Sequence, residues 1–294
     1  MMTERCARAL LAVDQMAPEA GALLSRLETY DSIELTWPFA LLARTRHLLA
    51  LQHPDDAVEA VSLARDAHPD QHGSFATDVI NAVSIEALWS IGDTTSARRL
   101  ADSSARSGVL SRMAIIRHAL LESRLDTAAA GLRQMSAARS LGPGQRAEAT
   151  LLSAWLECAL TDGVAAETAA QVARIASRPG KRRLISTMPL QLIERVRERL
   201  SPEDAVAFSA LTGGLDSADH PRRPALTASE IRVLHALPLH ATTAEIAAAL
   251  YVSPNTIKSQ LRSLYRKLGC STRDDAISIA SRLRLLNTET SNRP

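Results

Sequence analysis

Apolar residues recur at helical spacing along almost the whole chain, and breakers interrupt that pattern at nearly regular intervals. The spacing predicts long helices near 35–51, 74–91, 109–122, 145–161 and 184–199. It predicts shorter ones near 54–67, 94–107, 126–138 and 164–177. His53-Pro54, Gly92-Asp93, Gly142-Pro143-Gly144, Asp162-Gly163 and Pro179-Gly180 separate them. No alternating apolar–polar run of useful length competes with these helices. Aromatic residues are 3% of the chain and β-branched runs are short, so the side chains that strands favour are sparse. The expected fold class is all-α.

The long segments recur about every 35–39 residues and the short ones about every 32–40. That is the pitch of stacked helical hairpins, in which each hairpin buries its apolar face only against its neighbours. Trp89 and Trp155 fall at similar places in their long segments. The turn Ile91-Gly92-Asp93-Thr94-Thr95-Ser96-Ala97 resembles the Gly-Asp-x-x-x-Ala turn of tetratricopeptide repeats. Leu125-Asp126 followed by Ala130 is a weaker echo of it. Residues 1–212 are therefore expected to form a TPR-like helical-repeat body; an irregular helical domain is the alternative.

Nothing in this body points to catalysis. The eight His are scattered, without a His-Glu-x-x-His pair. Gly142-Pro143-Gly144 and Gly180-Lys181 do not fit a phosphate loop and read as turns. Lys181-Arg182-Arg183 reads as a solvated loop, with nucleic-acid contact as its other use. Asp55-Asp56 and Asp274-Asp275 read as acids in first helical turns, favoured by the helix dipole. No catalytic, metal or cofactor site is expected. Cys6, Cys158 and Cys270 are too far apart to suggest a framework, so reduced, buried thiols in a cytoplasmic protein are expected. The first fourteen residues carry Glu4, Arg5, Arg8 and Asp14 and do not read as a signal peptide. No apolar run is long enough to span a membrane.

Residues 213–225 are rich in Gly, Pro and charge and read as a linker. Beyond it the charge changes. Residues 226–286 hold two Lys and six Arg against two Glu and two Asp, a net +4, which leaves about −2 for 1–225. A basic module beside a slightly acidic body suits contact with nucleic acid through one end.

The module is dense in helix signals. Thr227 and Glu230 are spaced as a capping box for a first helix that Pro238 ends. Thr242 or Thr243 caps a short second helix, and Tyr251-Val252 make the turn. Ser253 and Pro254 open a third helix reaching about Leu268, with Gly269 as its stop. Ser271 or Thr272 caps a fourth, to about Leu286; residues 287–294 read as a disordered tail. Ile257, Leu261, Leu264 and Leu268 form the buried stripe of the third helix. Asn255, Lys258, Ser259, Arg262 and Arg266 project from its other face. Lys or Arg there can donate to guanine O6 and N7, and Asn255, Thr256 and the helix N-terminal amides suit a phosphate.

The strings Leu226-Thr227…Glu230, Glu245-Ile246-Ala247, Ser253…Thr256-Ile257-Lys258 and Lys267-Leu268 resemble the LuxR-type (NarL/FixJ-type) DNA-binding domain. The resemblance covers about 60 residues, 226–286, and implies a four-helix helix-turn-helix. It implies that Lys258, Ser259 and Arg262 read bases and that Thr256 and Lys267 hold backbone phosphates; Asn255 and Arg266, on the same face, are expected along the DNA backbone with them. It further implies dimer contacts through the fourth helix, at Ala276, Ile279, Ala280 or Leu283; the apolar side of that helix also packs on its own domain, and the sequence does not apportion these residues between the two. Two departures stand out: His240 where the family usually has Gly, and Gln260 where it often has His.

The expected function is sequence-specific transcriptional regulation by a homodimer on double-stranded DNA. A helical-repeat scaffold with only tethering DNA affinity is the alternative. The body lacks the α/β pattern of a receiver or of an acyl-homoserine-lactone sensor. It resembles the helical region of the large ATP-binding LuxR regulators of the maltose-regulator type, without the nucleotide-binding ATPase those carry. A protein, a peptide or a small ligand on its concave face would suit such a body.

Overall fold

In the computed structural model of the protein, residues 2–27, 36–69, 75–104, 108–136, 141–213, 215, 226, 228–268, 270–282 and 285–286 are described. They form helices and no strand. The body begins with α1 (Met2–Gln15) and α2 (Ala20–Leu24). Four helical hairpins follow: α3 (Trp37–Ala50) with α4 (Pro54–Ala67), α5 (Phe75–Ile91) with α6 (Thr94–Ser103), α7 (Val109–Leu121) with α8 (Leu125–Ser136), and α9 (Pro143–Thr161) with α10 (Ala166–Ala176). Then come α11 (Arg182–Ser186), α12 (Leu190–Arg199) and α13 (Pro202–Thr212).

One device makes each hairpin. The long helix ends, a residue one or two places beyond its end adopts a left-handed conformation, and the short helix starts. Those residues are Gln52 (φ 62°), Gly92 (φ 91°), Ser123 (φ 58°) and Asp162 (φ 53°). In the first three hairpins a backbone bond from the following residue closes the turn: His53 N to Leu48 O, 2.9 Å; Asp93 N to Leu88 O, 3.0 Å; Arg124 N to Ala119 O, 2.8 Å. Such caps satisfy carbonyls that the helix leaves unpaired. Only Gly92 avoids the steric cost that a Cβ adds in this region. Five residues after three of these positions stand Ala57, Ala97 and Ala128, each with no exposed surface. A methyl side chain lets the short helix lie close against the long one. In the third hairpin this alanine is Ala128; the Ala130 suggested by the sequence is only half-buried.

The long helices form the inner layer: α3 packs on α5, α5 on α7 and α7 on α9, with α4, α6 and α8 against the outer side. The last helices close the core over Leu192, Phe208 and Leu215. Leu215 is 1% exposed, so the body's packing reaches beyond residue 212, into the segment expected to be linker. The helix α1 returns to touch both α3 and α11.

Three features differ from expectation. The segment 184–199 is two helices, because Pro189 lacks an N–H and disfavours helical backbone at Met188. Helices α1 and α13 were not anticipated; Ser201 caps α13, accepting from Asp204 N at 3.2 Å. Arg183 is not in a solvated loop: it is 8% exposed and its Nε donates to Asp14 at 2.7 Å. Cys6, Cys158 and Cys270 are free thiols, two buried and one half-buried. Burial pushes the Cys158 thiol up to about 11.

The C-terminal helices are α14 (Ala228–Ala236), α15 (Thr243–Ala249), α16 (Pro254–Leu268) and α17 (Arg273–Arg282). A 3-10 turn, Leu237–Leu239, follows α14 and contains Pro238. Their hydrophobic core draws only on residues from Leu226 to Leu286, with Val233, Leu234, Leu237, Ile246, Ile257 and Leu264 fully enclosed.

Candidate nucleic-acid interface

The interface is built by α15, one turn, and α16. Thr242 caps α15: its hydroxyl accepts from Glu245 N at 3.2 Å, while Glu245 Oε2 accepts from Ala241 N at 2.8 Å and Thr242 N at 3.3 Å. The backbone N–H groups of Ala241 and then Thr242 hold the Glu245 carboxyl below its usual range. The turn uses Tyr251, left-handed at φ 55°, and Val252 N donates to Ala247 O at 3.0 Å. Ser253 caps α16, its Oγ accepting from Thr256 N at 3.1 Å. This is the hairpin device of the body used once more, here with Tyr251 in the place that Gly92 takes in the second hairpin.

At about 100° per residue, Asn255, Lys258, Ser259, Arg262 and Arg266 occupy one side of α16. Ile257, Leu264 and Leu268 occupy the other, at 0%, 0% and 7% exposure. Leu261, expected in the same stripe, is half-buried. Burial of that stripe fixes the rotation of the helix, so the polar side must face outward. Asn255, Thr256, Lys258, Ser259 and Arg262 are all exposed. Neither Lys258 nor Arg262, both exposed, has an ion-pair partner among the described residues. The Arg266 side chain lies outside the described residues.

Lys267 is placed differently. It sits at the flank of α16, and its Nζ donates to Glu230 Oε2 at 2.8 Å, against a carboxylate 5% exposed. The pair ties α16 to α14. Thr256 is exposed but shares a 2.8 Å hydrogen bond with Ser253 Oγ. On α17, Ala276 and Ala280 have no exposed surface and pack in the module's own core, so they offer nothing to a second copy. Ile279 is half-buried. Leu283, Gly269 and Thr227 lie outside the described residues.

Two residues escaped the sequence reading. Arg273 donates to the backbone carbonyls of Leu237 and His240, and to Ala241 O at 3.1 Å. It staples the loop in which His240 replaces the expected glycine. Tyr251 is 96% exposed beside the first turn of α16, an aromatic ring placed where only backbone geometry was anticipated.

Residues 224–280 match the family described as "Bacterial regulatory proteins, luxR family". The chain is 36% identical over 100 residues to the "Probable transcriptional regulatory protein NarL" from each of two strains of Mycobacterium tuberculosis. That match covers 33% of this chain and 46% of each relative, so the chain spans about half the length of the curated relatives it matches. No solved structure gives a significant match.

Proposed function

With a LuxR-family helix-turn-helix domain at residues 224–280 as its premise, we propose that the protein is a sequence-specific DNA-binding transcriptional regulator. Helix α16 enters the major groove. Lys258, Ser259 and Arg262 face base edges; Asn255, Thr256 and Arg266 lie along phosphates. The single observation that carries this is the exposed cationic side of α16, with Lys258 and Arg262 free of ion pairs among the described residues, opposite a stripe in which Ile257, Leu264 and Leu268 are buried. A solvated surface helix would scatter charge of both signs, whereas from Pro254 to Leu268 the helix carries no acid at all.

Two copies bind two half-sites about 34–36 Å apart or a multiple of that. Ile279, half-buried on α17, is the position left for a contact between copies among Ala276, Ile279 and Ala280. Lys267 acts from inside the module, holding α16 against α14, in place of the phosphate contact first expected. The tetratricopeptide-like body is the regulatory part of a cytoplasmic bacterial protein and sets when the module acts. Recovery of genomic fragments bound by the full chain tests the proposal. A few reproducible sites, lost when Lys258 and Arg262 are both replaced by alanine, are expected; uniform recovery of all fragments would overturn it.

A further inference from the structure

Among the described residues, five other than glycine hold a left-handed backbone: Met16, Gln52, Ser123, Asp162 and Tyr251. That region crowds a β-carbon, so a large side chain there needs a reason. Met16 packs against the core of the body. Gln52 Nε2 donates to Leu49 O at 3.5 Å. Asp162 accepts from Gln191 at 2.7 Å and from Arg195 at 3.0 Å. Ser123 has only a small side chain to place. Tyr251 is the largest of the five, and none of these reasons applies to it. Its φ is 55°, it is 96% exposed, and its side chain makes no hydrogen bond or ring contact with any described residue.

The backbone beneath the ring is fixed on both sides. Tyr251 N donates to Ala248 O at 3.3 Å, and Val252 N to Ala247 O at 3.0 Å. A glycine would serve the same turn, as Gly92 does in the body. The ring is therefore kept where the fold gains nothing from it, and strain of that kind collects at sites of contact with other molecules. It stands two residues before Ser253, the cap of α16, and Val252, Ser253, Pro254, Asn255 and Thr256 beside it are all exposed. From Ile246 to Leu268 the chain carries no acidic residue. The N-terminal end of a recognition helix is the end that enters the major groove, so the turn ahead of it lies at the groove's edge, beside the phosphates.

We propose that Tyr251 is a DNA-backbone contact: its phenolic hydroxyl donates to a phosphate oxygen at the edge of the groove that α16 enters. The proposal rests on DNA binding by α16. Tyrosine suits the place because a phenol donates without carrying charge. It positions the module on any duplex and reads no base. It also displaces no counterion, unlike a lysine or arginine at the same phosphate.

The full chain is titrated, over a range of salt, into two labelled duplexes: one of random sequence and one carrying a genomic fragment that the parent recovers. Tyr251→Phe should weaken both about tenfold, the worth of a hydrogen bond to a charged group. The slope of log K against log salt should stay that of the parent. Tyr251→Gly should weaken both at least as much without lowering the midpoint of urea unfolding, because glycine takes this backbone freely. A parent that binds neither duplex overturns the DNA reading and this contact with it. A parent that binds, with Tyr251→Phe binding equally well, overturns the contact alone and leaves the ring to a protein partner. Weakening confined to the recovered fragment would make Tyr251 a base contact and overturn the proposal as well. So would a lowered urea midpoint in Tyr251→Phe, which would trace the lost affinity to the fold.

Discussion

The body and the C-terminal module use the same cationic side chains in opposite ways. In the body, Arg117 and Arg183 are each 8% exposed and sit against Glu148 and Asp14. On α16, Lys258 and Arg262 stand in solvent with no described carboxylate beside them. Burial by itself would push the Glu148 carboxyl up; Arg117, Arg46 and Arg183 together carry it below its ordinary value. A guanidinium so held cannot leave without stranding a charge, so it is structure. A cation held only by its own helix costs nothing to redirect toward DNA. Lys267, locked onto Glu230, belongs with the first kind although it lies on the recognition helix.

The largest expected effect comes from breaking the body's pairing. Arg117→Ala should cost about 3–5 kcal/mol of unfolding free energy, because the buried Glu148 loses the guanidinium that hydrogen-bonds it; urea denaturation measures it. A cost under about 1 kcal/mol would mean that the body's arginines are as dispensable as surface ones. Next, Lys267→Ala should destabilise the module by roughly 1–3 kcal/mol and leave the salt dependence of DNA binding unchanged. If Lys267 instead held a phosphate, the slope of log K against log salt would fall by about 0.9. Arg262→Ala should do the reverse. It should lose about 1–3 kcal/mol of affinity at a preferred site, with unfolding free energy within about 0.5 kcal/mol of the parent.

Two smaller tests probe the helix that carries the turn. Thr242→Ala removes the cap of α15 and should cost about 1 kcal/mol by thermal or urea unfolding. Glu245 has a folded pKa below its unfolded one. Its contribution is therefore fully present above the ordinary glutamate range and lost as the pH falls through the lower folded value. The stability difference between the parent chain and Glu245→Gln should shrink along that acid limb. A difference that grows on acidification would contradict the capping geometry.

How much of this was legible follows from how far each interaction reaches along the chain. The hairpins α3–α10 were readable because periodicity and breakers are local signals. Their turn residues were not: Gln52, Ser123 and Asp162 take the left-handed role that sequence assigns to glycine. Segment 184–199 read as one helix because its apolar spacing runs across Pro189 unbroken. The exposed face of α16 was readable because its period, caps and charge all agree within fifteen residues. The ion pairs were invisible, since Asp14 and Arg183 are 169 residues apart and Glu230 and Lys267 are 37 apart. For the same reason Lys267 read as a phosphate contact, and Ala276 and Ala280 stayed open between a dimer contact and their own domain's core: sequence gives the charge or the methyl group, not its neighbour.

Selection of bound duplexes from random DNA, at physiological salt and with the full chain, tests the central claim most directly when parent and Arg262→Ala are run side by side. The parent should enrich one recurrent motif, and the variant should lose its preference at one position of each half-site while keeping the rest. Enrichment of no motif by the parent, or equal weakening of every sequence by the variant, would contradict base reading by α16.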